Sequence, residues 1–305
     1  MSYESILMEL LMNSIKSFQA EAILFSGGID SSLIAILTSK IRPVIYVTAI
    51  FNTGNDEKYS FILSKKLGVP CVVVRYDIEE AIDASREIVR TFRTFDHVEI
   101  RNDITLYIAL KKCKEMGIRK VMTGDGGDEL FAGYDFMVRM EEHQLEKYIN
   151  EFYGQWFFSS SLIGRELGIE VYHPFLRGEI INFARSLPYE WKVKRPYGKW
   201  ILRKLLDAMG FPEIAWRNKE PIEMGSGSSI ITQIFLKMLG EEAEKIEKEA
   251  LKDGVKFWSK EQIYFYKLFK EMFGPPPRAE NGCPYCGSPL SQYKCKYCGY
   301  VRRYY

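Results

Sequence analysis

Residues Ser26 to Ser32 read S-G-G-I-D-S-S and stand between an apolar run of strand length, Ala22 to Phe25, and a run with helical character, Leu33 to Leu37. Chemistry follows from that placement. Gly27 and Gly28 tolerate positive φ and have no Cβ to hold a ligand away, so the chain can turn sharply against an anion. The free amides that open the next helix, the partial positive charge there and the hydroxyls of Ser26, Ser31 and Ser32 form a cradle for phosphate oxygens. Asp30 would repel phosphate unless a divalent cation lay between them, which points to Mg²⁺ shared by carboxylate and phosphate. The plainer alternative is a serine- and glycine-rich turn ending in an N-cap, and the strand-loop-helix setting weighs against it.

A second constellation lies further along, T-G-D-G-G-D-E-L-F-A-G-Y from Thr123 to Tyr134. Three carboxylates, Asp125, Asp128 and Glu129, crowd a glycine-rich turn and a helix start. Such crowding costs folding free energy unless a cation or a bound substrate compensates it. The tail carries a third, C-P-Y-C at Cys283 and Cys286 and C-K-Y-C-G at Cys295 and Cys298, two knuckles separated by eight residues. Four thiolates so spaced can converge on one structural Zn²⁺ and leave no open position; a redox dithiol or an iron site is the alternative. Cys71 and Cys113 sit alone in apolar or helical surroundings and read as core residues.

The elements that must position these residues alternate. Apolar spacing from Ser2 to Phe18 predicts a leading helix. After the Ala22 strand come strands at Val44 to Phe51, Cys71 to Arg75 and Lys120 to Thr123, with helices at Asp56 to Leu67, Ile78 to Arg90 and Asn102 to Met116. Alternation of this kind predicts a parallel sheet covered on both faces, with ligands at the carboxyl ends of its strands. From about Asp135 the strand signal fades and helical periodicity takes over, which predicts a helical subdomain. Glu241 to Lys256 reads as a solvated amphipathic helix. Pro275 to Pro277 end the last helix and stiffen a connector.

Composition fits a large core: 305 residues, 47% hydrophobic, net charge +2. Near balance gives no global argument for nucleic acid. No apolar stretch approaches the ~20 residues that span a bilayer, and the first residues have neither a basic n-region nor a cleavage site, so a cytoplasmic protein is expected.

The loop at Ser26 lacks the lysine of a Walker A sequence. It resembles the PP-loop of the N-type ATP pyrophosphatases, which cleave ATP between the α and β phosphates and leave an adenylated substrate. Together with Thr123 to Tyr134, it resembles the synthetase half of the glutamine-dependent asparagine synthetases and their relative β-lactam synthetase. The likeness continues in order. Glu170 to Leu176, with H-P-F-L, is similar to the family's E-x-R-x-P-F-L-D segment, Gly198 to Arg203 to its K-x-x-L-R, Ala215 to Lys219 to the segment with its catalytic lysine, and Ser259 to Phe273 to its closing helix.

That resemblance implies a doubly wound α/β sheet of the PP-loop ATP pyrophosphatase type over residues 1–273. Residues 1–134 would be the nucleotide-binding core and 135–273 the mainly helical part, followed by a Pro-rich linker at 274–280 and a zinc ribbon at 281–305. It implies that Ser26, Gly27, Gly28, Asp30, Ser31 and Ser32 bind the departing phosphates, that Asp30 and Asp128 hold Mg²⁺, and that Phe25, Ala49, Thr123 and Gly124 hold the adenosine of ATP. Lys219 would stabilise charge at the α-phosphate as the acyl-adenylate forms and breaks. Asp125 takes the position of the family's glutamate, which accepts the proton of attacking ammonia, and is one methylene shorter, a setback on the order of 1 Å. Tyr172 and Arg177 replace the Arg and the last Asp of E-x-R-x-P-F-L-D, so the acceptor side departs from the family.

The expected reaction is AMP-forming amidation of a carboxylate, with aspartate and ammonia the leading substrates. In the family a cysteine after the initiator Met opens a glutaminase domain. Ser2 stands there, so ammonia is expected free, from a separate glutaminase subunit, or replaced by an amine. The alternative is adenylation of tRNA or a carrier protein recognised through the ribbon, whose Lys294, Lys296, Arg302 and Arg303 alternate with Tyr285, Tyr293, Tyr297, Tyr300, Tyr304 and Tyr305. Those residues serve equally well as a small core with a solubilising surface.

Overall fold

Ser2 caps the first helix, α1 (Tyr3–Lys16), its hydroxyl accepting from the Ser5 amide at 3.2 Å, and the spacing of Leu7, Leu11 and Ile15 turns one face of that helix inward. The computed structural model describes residues 2–218, 220–291 and 294–302. After α1 come β1 (Ala22–Leu24), α2 (Ile29–Ser39), β2 (Ile45–Phe51), α3 (Asp56–Leu67), β3 (Cys71–Tyr76), α4 (Ile78–Phe92), α5 (His97–Glu115) and β4 (Lys120–Met122). These spans follow the alternation read from the sequence. The helix α5 begins earlier than the expected Asn102, because Asp96 accepts the Val98 amide at 3.1 Å and starts the turn there.

Beyond β4 lie α6 (Gly127–Leu130), α7 (Asp135–Arg139), α8 (Glu142–Phe152) and α9 (Ser159–Leu167). Then comes β5 (Glu170–Tyr172), a strand where the sequence pattern predicted none after Asp135. Its three residues are too few to show a period of two, and Glu170 is exposed. The helices α10 (Gly178–Ser186), α11 (Tyr189–Lys192), α12 (Trp200–Ala208), α13 (Pro212–Ala215), α14 (Ile222–Gly225), α15 (Ile231–Leu239), α16 (Glu242–Lys252) and α17 (Gln262–Phe273) follow, ahead of the cysteine-bearing tail.

The sheet has the order β3-β2-β1-β4-β5. Parallel pairs join β1 to β2, β1 to β4 and β4 to β5, with Ile23 opposite Tyr46 and Met122. Strand order runs one way from β1 through β2 to β3 and the other way through β4 to β5. The chain therefore reverses direction across the sheet between β1 and β4, and the loops leaving these two strands flank the crevice where such sheets bind ligands. Those loops are the two motifs singled out from the sequence.

Two compact units divide the chain. The first comprises residues 1–48, 55–74 and 109–221. Its core is built from Leu7 and Leu11 of α1, Ile23, Leu33 of α2, Phe131 and Leu202 of α12. The second comprises residues 49–54, 75–108 and 222–305. There Phe95 meets the Tyr266 and Phe269 rings of α17 at centroid distances of 5.3 and 5.5 Å. Among the described residues no helix is long and apolar enough to cross a membrane.

Ile23 is fully buried in the middle strand. Its replacement by Ala is expected to lower unfolding free energy by about 2–5 kcal/mol in a urea titration with little change in slope, because the packed neighbours cannot close the cavity.

Candidate nucleotide and acceptor site

The chain leaves β1 at Leu24 and enters α2 at Ile29, with Gly27 at φ 65° and Gly28 as N-cap. Gly27 is required twice. Its φ is left-handed, and a Cβ there would collide with the Tyr59 side chain. Ser26 and Ser31 share a hydroxyl contact of 3.2 Å, the Gly28 amide donates to Ser26 Oγ at 3.3 Å, and the Ser31 hydroxyl donates to the Gly28 carbonyl at 3.3 Å. The Ser32 hydroxyl is buried with no hydrogen-bond partner among the described residues. These bonds hold the loop while its helix-start amides keep their orientation toward an anion.

The acidic loop comes close against this one. A Cβ on Gly124 would lie 2.7 Å from the Ser31 nitrogen and 2.9 Å from Asp30 Cβ, so only glycine allows the approach. The three crowded carboxylates then separate, each toward its own partner. The Tyr134 hydroxyl donates to Glu129 at 2.5 Å. Asp128 Oδ1 lies 2.8 Å from the Lys199 ammonium, which also bonds Asp30 Oδ2. Asp125 turns to Thr123, Ser160 and His173. Compensation expected from a cation or a substrate is thus supplied by protein side chains.

Lys199 had no role assigned from the sequence, although it opens the K-x-x-L-R segment. Its side chain is 6% exposed, and those of Asp30 and Asp128 are 13% and 24% exposed. Burial would discharge the ammonium, but Asp128 and Asp30 outweigh that and hold its pKa above the usual lysine range. Its backbone is left-handed at φ 54°, and its amide donates to the Phe131 carbonyl at 2.9 Å. Strain at a buried charged residue persists only where the surroundings fix it. Asp30 and Asp128, which share one ammonium, are also the hard oxygen donors that a divalent cation such as Mg²⁺ takes.

Other expected residues fall as follows. Phe25 is buried, its ring stacked on Tyr46 at 5.2 Å and its amide bonded to the Val47 carbonyl at 2.9 Å. Ala49 is buried on β2, and Thr123 directly follows β4. Lys219 lies outside the described residues. Ahead of it, Arg203 donates to the carbonyls of Ala215 at 2.6 Å and Arg217 at 3.0 Å. Arg217, also missed, stacks over Tyr59 at 3.8 Å and donates to the Gly27 carbonyl at 2.7 Å, bracing the phosphate-type loop.

The substituted segment resolves differently at each position. The Tyr172 hydroxyl contacts Ser17 Oγ at 3.1 Å and its ring stacks on Phe18 at 4.5 Å, so it ties β5 to the end of α1. Arg177 is half-exposed, with Glu179 at 3.8 Å. His173, which the pattern of the resemblance left open, lies against Asp125, Nδ1 to Oδ2 at 3.3 Å.

In the second unit the Sγ atoms of Cys283, Cys286, Cys295 and Cys298 all lie within 4.8 Å of one another, with every side chain buried. Amide bonds from Gly287 to the Cys283 carbonyl at 2.8 Å and from Gly299 to the Cys295 carbonyl at 2.9 Å close the two knuckles. Four sulfur donors this close are a set that could hold one metal ion. The knuckles are bound into their unit. Lys294 pairs with Asp96 and Glu99, each at 2.8 Å, the Phe95 amide donates to the Tyr297 carbonyl at 2.7 Å, and Trp258 and Gln262 both donate to the Cys298 carbonyl at 2.8 Å. Tyr293, Arg303, Tyr304 and Tyr305 lie outside the described residues.

The strand order and the switch point define a parallel α/β protein whose β1 loop opens directly into a helix. The profile described as Asparagine synthase matches residues 7–167 and 161–272, and the chain belongs to that family. It is similar to asparagine synthetase B [glutamine-hydrolyzing] of Escherichia coli (strain K12), 26% identical over 309 residues, which cover 90% of this chain and 54% of that protein. It is 28% identical over 233 residues to the asparagine synthetase [glutamine-hydrolyzing] of Sandersonia aurantiaca, covering 68% of this chain and 44% of that one. Among solved structures it is similar to NMN synthetase from Francisella tularensis, with a TM-score of 0.41, 13% identity and coverage of 92% of this chain and 97% of that. The chain spans about half the length of the curated relatives it matches.

Replacing Lys199 by Ala leaves Asp30 and Asp128 without their shared cation. Stability in chelator-treated buffer is expected to fall by about 3–5 kcal/mol, and added Mg²⁺ to recover part of it in thermal melts. A loss that Mg²⁺ does not change would mean that the two carboxylates form no cation site. Elemental analysis is expected to find a single thiolate-bound metal ion per chain, absent from Cys286→Ser.

Proposed function

We propose that this chain carries the synthetase activity of an AMP-forming amide ligase: a carboxylate, with aspartate as the leading candidate, is activated as an acyl-adenylate, pyrophosphate leaves, and ammonia displaces AMP. The observation that carries the reading is the close approach of the β1 and β4 loops, with Asp30, Asp128 and Lys199 gathered where the helix start of α2 can receive phosphate. Family membership supports the reaction class.

Ser26, Gly27, Gly28, Ser31 and Ser32 receive the β and γ phosphates on this reading, and Phe25, Ala49, Thr123 and Gly124 frame the adenosine. Asp30 and Asp128 would hold Mg²⁺, which supplies positive charge to the phosphate oxygens when bound. Lys199 adds a fixed cation beside them. Lys219 is assigned the α-phosphate and the charge that develops as the adenylate forms and breaks. Asp125 marks the acceptor side. Zn²⁺ is the metal proposed for the four cysteines, where it would be structural.

The alternative, modification of tRNA or a carrier protein delivered by the ribbon, finds less support. Lys294 is paired with Asp96 and Glu99, the Tyr297 ring packs edge-on against Phe269 at 6.1 Å, and Tyr285 and Tyr300 pack on each other at 5.1 Å.

Incubation with ATP, Mg²⁺, ammonium and aspartate is expected to release pyrophosphate and AMP and to yield asparagine by mass spectrometry, with Lys219→Ala inactive. Pyrophosphate release indifferent to aspartate would overturn the choice of acceptor, and ADP as the nucleotide product would overturn the reaction class.

A further inference from the structure

Around Asp125, three elements bring together a polar chain. Thr123 and Asp125 come from the end of β4, Ser160 and Ser161 from the first turn of α9, and His173 from the end of β5. Asp125 Oδ2 accepts from the Thr123 hydroxyl at 2.9 Å and from the Ser160 hydroxyl at 2.6 Å, with His173 Nδ1 at 3.3 Å. Thr123 Oγ1 also lies 2.8 Å from His173 Nδ1, and Ser161 Oγ lies 2.6 Å from His173 Nε2. Phe158 covers the imidazole with a centroid distance of 5.4 Å.

Hydrogen-bond accounting sets the proton positions. An ionised carboxylate only accepts, so the single Thr123 hydroxyl proton goes to Asp125. Thr123 Oγ1 then has only lone pairs to offer the ring, and both it and Asp125 Oδ2 require a proton on Nδ1. A neutral imidazole protonated at Nδ1 has its basic lone pair on Nε2, where the exposed Ser161 hydroxyl meets it. A nucleophile's hydroxyl or N–H at that point faces a base oriented from behind by a carboxylate, which is the logic of a hydrolase triad.

Building on the amide-ligase reading above, we propose that His173 is the general base that takes the proton of the incoming nitrogen, and that Asp125 is the positioning residue that fixes its tautomer and orientation. The nitrogen forms its bond to the acyl carbon, AMP leaves with the electron pair of the acyl–phosphate bond, and one N–H proton passes through Ser161 Oγ to Nε2. Ser161 gives its own proton to the ring as it receives the other, Asp125 stays ionised, and the imidazolium then releases its Nε2 proton to solvent. The methylene missing from Asp125 makes sense in this arrangement: the carboxylate has no need to reach the nitrogen, because the ring spans the gap. Burial by itself would raise the Asp125 pKa, but the hydrogen bond and charge of His173, with the Ser160 and Thr123 donors, outweigh it and keep the carboxyl below its usual range. A carboxylate so stabilised is a weak proton acceptor at neutral pH, whereas imidazole changes charge there. The groups against the ring are Asp125 and Thr123 after β4 and Ser161 and Phe158 of the α9 segment, and of these Asp125 alone is titratable.

Two readouts test this. In the intact protein, with three histidines in the sequence, nitrogen-15 spectra of the imidazoles are expected to show neutral His173 protonated on Nδ1, and Asp125→Asn to weaken that preference. A proton on Nε2, or a preference that Asp125→Asn leaves unchanged, overturns the pairing whatever reaction the enzyme runs. For amide formation at constant free ammonia, the wild-type rate is expected to rise with pH as the base loses its proton. His173→Gln is expected to lower kcat by about 10²–10⁴-fold with that rise abolished. A His173→Gln enzyme within twofold of wild type, or with an unchanged pH profile, overturns the base assignment. A wild-type protein that shows the expected tautomer yet makes no amide supports the pair and faults the ligase reading instead.

Discussion

The arrangement of the first unit depends on one charge contact, the Lys199 ammonium set between Asp30 and Asp128. Removing three charged groups from water is expensive, and a partner missing from such a cluster leaves an uncompensated buried charge. The cluster therefore ties together the start of α2, the start of α6 and the start of α12, which carry its three members. It also explains why glycines stand opposite Asp30 and Asp128. A Cβ at Gly127 would overlap the Asp30 carboxylate, and one at Gly133 the Asp128 carboxylate and the Lys199 chain. The phosphate-type loop and the acidic loop are thus held by the same charges that make the place suitable for a nucleotide with its cation.

A few residues away the chemistry changes character. At Asp128 the carboxylate is balanced by a lysine, whereas at Asp125 it is balanced by two hydroxyls and an imidazole. The first is a balance of full charges, and the second rests on hydroxyls and a ring whose two nitrogens differ in role. On the proposed function, the nucleotide side is the one the family resemblance implies. On the same reading, the acceptor side has a carboxylate one methylene shorter than the resemblance implies, with His173 against it at 3.3 Å.

Much of this was legible in the sequence where local chemistry dictates structure. The apolar run, paired glycines and serines around Asp30 specify strand, turn and helix start through short-range sterics and capping, and α3 runs from Asp56 to Leu67 as its pattern indicates. What could not be read depends on contacts between distant segments. Lys199 follows Asp30 by well over a hundred residues, and only the fold brings its ammonium to that carboxylate. His173 sits at the end of a three-residue edge strand whose pattern is too short to announce it. Tyr172, beside it in sequence, points the other way because successive side chains of a strand alternate, so it serves α1 rather than the site. The cysteine knuckles were plain from their spacing, but the attachment of Lys294 to Asp96 and Glu99 carries no local signal.

On the proposed function, the charged cluster at α2 is a nucleotide site completed by a divalent cation. Calorimetric titration of ATP into the protein, with Mg²⁺ and then with a chelator, tests it most directly. Saturable binding of one ATP per chain that weakens sharply when Mg²⁺ is removed is the predicted result. Equal affinity in the chelator, or no binding in either buffer, would contradict the account.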